Sequence, residues 1–229
     1  MKPVDLFRFS YSAADARSLL AILLGIELVL VSAYVLTHII APGPSLGPLR
    51  NFLDVDREVS IPTWFSSVQL FALGVVLLLQ ASRSKQLRAF VVLLGLSFIF
   101  LSMDEAAAIH DSIYRSAQRL KLPWIEGVEY LVWMVVYVFV GLIGLLIAHR
   151  PVVFLWGNFR QEALWVAAGG AIFAGGGIGI EIVTHYLYGI AIDTRFFLAV
   201  AAEEFFEMAG VSIMLYGFML LGIRLEADT

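Results

Sequence analysis

The chain has 229 residues, 60% of them hydrophobic and 15% charged, with a net charge of −4 and a mean hydropathy of +0.88. A soluble domain carries roughly 25% charged residues, so this composition excludes an ordinary water-soluble globule. The scattered basic residues leave no stripe for nucleic acid. The absence of cysteine excludes disulfides, thiolate metal sites and cysteine nucleophiles.

The apolar residues are gathered in runs of about 20, the length that crosses a ~30 Å hydrocarbon core. In chain order the pattern predicts helices over 18–41, 63–82, 88–111, 128–149, 162–187 and 196–223. The expectation is an all-α integral membrane protein, a six-transmembrane-helix bundle forming a single domain over 1–229, with the lipid bilayer as its surroundings. The first run is too long for a signal-peptide core and reads as a signal anchor. Pro42, Pro44 and Pro48 follow it, and a short interfacial helix is predicted around Leu46–Val55. Pro62 opens the second helix at a position where proline is tolerated. Pro123 and Gly127 separate the third from the fourth, Pro151 closes the fourth, and Gly189 with Asp193 marks the last turn.

Lysine and arginine set the orientation. Nine of them (Lys2, Arg8, Arg17, Arg83, Lys85, Arg88, Arg150, Arg160 and Arg224) fall on one side, and six (Arg50, Arg57, Arg115, Arg119, Lys121 and Arg195) on the other. This bias predicts both termini in the cytoplasm of a prokaryotic cell, in its cytoplasmic (inner) membrane. Trp64 and Trp124 suit the outer interface, Trp156 and Trp165 the inner one.

Six carboxylates interrupt these apolar runs with no lysine or arginine beside them: Asp104, Glu105, Glu181, Glu203, Glu204 and Glu207. Dry, unpaired carboxylates are too costly to keep ionised, so they must hold protons, bind cations or line water. Helical rise places Asp104, Glu105 and Glu181 roughly 8–10 Å below the outer ends of their helices, Glu203 and Glu204 a little deeper, and Glu207 nearer the midplane. Glu203, Glu204 and Glu207 share one helix face, as do Glu181 and His185 four residues apart. Glu105 points about 100° away from Asp104 on an unbroken helix, and His110 aligns poorly with either. The third helix therefore cannot aim all its polar groups at one point unless its end unwinds.

The candidate metal ligands are thus Asp104, Glu181, His185, Glu203, Glu204 and Glu207, with Glu105, His110 and His38 as outlying members. Mixed carboxylate and imidazole ligands suit iron, manganese or zinc, and a dinuclear centre would offset four of the negative charges. Carboxylate-bridged four-helix bundles solve a similar charge problem, although Glu181-x-x-x-His185 and Glu204-x-x-Glu207 differ from their Glu-x-x-His spacing. Any one of these acids alone reads as structural; six together favour a site.

The leading expectation is a membrane metalloprotein with a site in the outer half of the bundle. Its metal would serve a hydrolase or a di-metal oxidoreductase acting on a lipid-like or small apolar substrate. The alternatives are a proton or divalent-cation transporter using the same acids, and an accessory subunit. As a subunit it would belong to a homo-oligomer or a larger membrane complex, pairing its acids with a partner's arginines. Glu27 stands alone in the first helix, as a relay, a protonated acid or a snorkelling one. Ser66, Ser67 and Gln69 read as interhelical glue, and Asp54, Asp56 and Glu58 as a wet acidic loop. Six glycines between Gly169 and Gly179 permit close helix approach or a kink. No nucleophile-elbow pattern supports a serine hydrolase.

Overall fold

The computed structural model describes residues 11–40, 46–121, 123, 125–126, 128–129, 131–188 and 192–227, without the side chains of 185–188. Lys2, Arg8, Pro42, Pro44, Trp124, Gly127 and Gly189, used above as flanking signals, lie outside the described residues.

The first helix, α1 (Ala13–Val35), starts five residues before the apolar run. Ser12 caps it, its hydroxyl accepting from the Asp15 amide at 3.2 Å while Asp15 accepts from the Ser12 amide at 2.8 Å. This reciprocal box satisfies amides that an apolar start would leave bare. A wide π turn, Leu36–Ile40, completes the span. The short helix expected in the next loop is present as α2 (Gly47–Leu53). Ser60 caps α3 (Ile61–Gln80), accepting from the Thr63 amide at 3.2 Å, with Pro62 in the first turn.

Two spans predicted as straight are broken. The third ends as α4 (Arg88–Ala107), because Ala108 takes a left-handed conformation with φ of 49°, and the chain resumes as α5 (Ile109–Leu120). The fourth is α6 (Leu131–Ile147), bent by 68° from α7 (His149–Asn158). Pro151 does not end that helix; it sits in the first turn of α7, where its missing N–H costs nothing. The fifth span runs as α8 (Arg160–Ala174), a π turn (Gly175–Ile180) and α9 (Glu181–Tyr188). The last is α10 (Thr194–Ala227), 34 residues and roughly 50 Å long at 1.5 Å per residue.

Among the described residues, five helices are long and apolar enough to cross a membrane, or six if the bent α6–α7 pair counts as one span. α10 is the axis of the bundle and packs against α1, α3, α8 and the π turn, while α3 packs along α4. Apolar burial does not drive helices together inside lipid, so close backbone contact must. A methyl group added at Gly169 would lie 2.6 Å from the Met214 amide nitrogen, and one at Gly210 would lie 2.5 Å from that of Phe173. Only glycine at both positions lets α8 and α10 meet at this distance.

Candidate functional site

One end of the bundle carries α2, α5 and the start of α10, and there the acidic residues converge. The break at Ala108 does this. Asp104, 6% exposed, accepts from the His110 amide at 2.7 Å and lies 3.2 Å from His110 Nδ1. It acts as the missing cap of α5, since Ala108 offers no side-chain bond of its own. His110 folds back over the end of α4 and also meets Glu58 across 3.9 Å. With the helix end unwound in this way, Asp104 and Glu105 serve two different surroundings.

Glu105 turns toward α3 and α10. Its neighbours are Glu58, His110, Ser66 and Asp104, and it is in turn a principal electrostatic neighbour of Glu204 and Glu207. Glu207 faces Glu105, Glu181 and Asp104, whereas Glu203 faces Glu207, Glu181 and Asp56. Glu181 reaches toward Trp133 of α6 and feels His110, Asp111 and Asp56. The structure therefore brings Asp104, Glu105, His110, Glu181, Glu203, Glu204 and Glu207 into one neighbourhood.

Two glycines of the π turn shape it. A methyl group at Gly176 would lie 2.9 Å from the Glu203 carbonyl oxygen, and one at Gly177 would lie 2.5 Å from Glu207 Oε1. The wide turn thus lets α10 approach and seats the Glu207 carboxylate over bare backbone. Such π insertions are frequent at functional sites.

Other candidates lie elsewhere. His38 Nε2 is 3.6 Å from Asp54, with the ring packed between Tyr34 and Phe197, so it ties the end of α1 to the following loop. The His185 side chain lies outside the described residues. Arg115 does not fold back onto the glutamates of α10; it bonds Asp111 at 2.9 Å. Among the described residues, no group of three Asp, Glu or His side chains is placed to hold a metal ion.

The loop acids expected to be wet belong to this neighbourhood. Asp56 is exposed, yet desolvation first, then Asp54, Asp111 and Glu58, push its carboxyl up to about 6. Glu58 is raised by burial and by Asp111 and Asp104, against the pull of His110 and Arg115. For His110, burial opposes the charge, but the bond to Asp104 and the charges of Asp104, Glu58 and Asp111 win and raise it to about 9. Nothing local in 54–58 signals this role; it follows from the loop crossing the end of α4.

Fold and site together define a multi-pass α-helical protein with apolar spans and a cluster of carboxylates at one end of its bundle. The chain belongs to the family described as a domain of unknown function, DUF8692, whose model matches residues 20–221. No curated protein and no solved structure matches it.

Proposed function

We propose that the protein is a membrane metalloprotein whose acidic end, facing outward from a prokaryotic inner membrane with both termini cytoplasmic, binds divalent metal. The observation that carries this reading is that Glu204 and Glu207 of α10 have only acids as their principal electrostatic neighbours, Glu105 of α4 among them. Like charges at this proximity cost several kcal/mol unless a cation or protons offset them. Asp104, Glu181, Glu203 and His110 belong to the same electrostatic neighbourhood and would have to draw together around an ion to complete a coordination sphere. Iron, manganese and zinc suit this donor set.

A metal held there would supply Lewis acidity or redox chemistry. A carboxylate left free would serve as general base toward water, with a lipid-like or small apolar substrate entering from the bilayer. A transport path fits less well. Below the cluster, Leu73, Leu77, Phe218 and Leu221 are each 0% exposed and form a dry apolar plug.

Elemental analysis of the purified protein tests the reading. About one or two divalent ions per chain are expected, as in carboxylate-bridged bundles. Glu105→Gln and Glu207→Gln should lose them, and Glu226→Gln at the far end should keep them. Absence of metal after growth with iron, manganese and zinc, or metal retained in a Glu105→Gln/Glu204→Gln/Glu207→Gln triple variant, would overturn it.

A further inference from the structure

Glu27 of α1 is neither snorkelling nor alone. It is 0% exposed and meets Gln69 of α3, 5% exposed, and Ser212 of α10, 1% exposed. Both amide protons of Gln69 are used, one on Glu27 Oε1 and one on Ser212 Oγ, each at 2.8 Å. The Ser212 hydroxyl proton goes to the same Glu27 Oε1 at 2.6 Å. Every donor of the triad is thereby spent. Glu27 Oε2 and Gln69 Oε1, both fully enclosed, have no partner.

Two orphan acceptors in one dry network are missing a donor, and leaving each of them bare would cost about 1–3 kcal/mol. One proton repairs both. An acid and an amide pair as a ring in which N–H meets one carboxyl oxygen while the other carboxyl oxygen donates to the amide oxygen. The bond from Gln69 Nε2 to Glu27 Oε1 is the first half of that ring. Turning the amide over changes nothing in the count, because two oxygens would then face each other and again need a proton between them.

Among the described residues, no cation competes for the role. Residues 20–34, 62–76 and 205–219 hold no lysine, arginine or histidine, and their titratable groups besides Glu27 are Tyr34, Glu207 and Tyr216. The neighbouring stretches of α4 (98–101) and α8 (166–173) bring none.

We infer that Glu27, Gln69 and Ser212 form a binding site for a single proton in the middle of the bundle, held on Glu27 Oε2 and donated to Gln69 Oε1. Ser212 lies five residues beyond Glu207 on α10, roughly 7.5 Å along the axis. The opposite direction is sealed by Leu73, Leu77, Phe218 and Leu221, each 0% exposed. The inference does not depend on metal at the cluster.

Infrared spectroscopy of the whole protein in neutral buffer reads the proton directly. Wild type should show a carboxylic-acid C=O band that is absent in Glu27→Gln and retained in Glu207→Gln. Gln69→Leu, which removes the acceptor, should move that band to higher frequency; this second variant decides the matter if Glu27→Gln folds poorly. Loss of carboxylate rather than acid absorption in Glu27→Gln would overturn the inference. So would an acid band that vanishes only in Glu207→Gln, or a band unmoved by Gln69→Leu. Sodium-dependent thermal stabilisation lost in Glu27→Gln, without an acid band, would assign the site to a metal cation instead.

Discussion

The two ends of the bundle treat negative charge in opposite ways. At the end where α3 and α10 finish, the acids meet arginines. Arg83 Nη2 lies 2.7 Å from Glu226 Oε1, and Arg224 approaches the buried Glu162 at 3.9 Å. Arg83 also donates to the Gly222 carbonyl at 3.2 Å, beside Gln80, which donates to the Phe218 carbonyl at 2.9 Å. At the other end Asp104, Glu58 and Asp111 have His110 or Arg115, but the principal neighbours of Glu203, Glu204 and Glu207 are one another and further acids. This sequence can neutralise an acid locally where only stability is at stake. Leaving three glutamates largely to other acids breaks that local rule, and such breaks concentrate at functional sites.

The contrast is sharpest under substitution. Glu204→Gln or Glu207→Gln should raise the stability of the metal-stripped protein by about 1–3 kcal/mol at a pH high enough to ionise the cluster, since a neutral amide relieves like-charge repulsion in a dry place. The same change should empty the metal site, so stability and loading would move in opposite directions. Thermal unfolding in detergent with and without chelator measures both. Destabilisation of the stripped protein by either variant would mean the acids are already neutralised in pairs, and the two ends would no longer differ.

Length and apolar runs made the spans legible, because membrane thickness fixes how many residues a helix needs. Helical spacing marked Glu181, Glu203, Glu204 and Glu207 as candidates, the last three on one face of their helix. The break at Ala108 was not legible. Alanine is a strong helix former, and the cause is the Asp104 carboxylate capping an amide six residues away. Without that break Glu105 looked misaligned and His110 unable to reach Asp104. Glu27 was opaque for another reason: its partners lie 42 and 185 residues along the chain. Asp56 and Glu58 sit in a polar loop whose position over the cluster only topology sets.

The His110 tie tests whether that break is held electrostatically. Its pKa near 9 exceeds the unfolded value of about 6.5. The tie therefore stabilises fully below about pH 6.5 and is lost as pH rises through about 9. His110→Ala should cost about 1–2 kcal/mol at neutral pH, and its stability should no longer decline through that alkaline window. Asp56 carries the opposite sign. A carboxyl raised to about 6 from about 3.8 costs stability as pH climbs through that range, a loss that Asp56→Asn should remove. Unfolding curves across the two windows separate the contributions. An alkaline decline unchanged in His110→Ala would show that the α4–α5 break stands on the Asp104 cap alone.

The smallest effect belongs to the paired end. The Arg83–Glu226 contact is short, but Glu226 is 39% exposed, so water already screens the pair. Exposed ion pairs contribute about 0.2–1 kcal/mol, and Arg83→Gln keeps a side chain able to donate to the Gly222 carbonyl. The expected loss is therefore below about 1 kcal/mol, shrinking further in high salt as surface charges are screened. Metal content should not change. A loss several times larger, or one insensitive to salt, would mean that Arg83 acts mainly through its bond to the backbone of α10. The arginine end would then be a helix-anchoring device rather than a site of charge balance, and the contrast with the glutamate cluster would have to be redrawn in terms of backbone support.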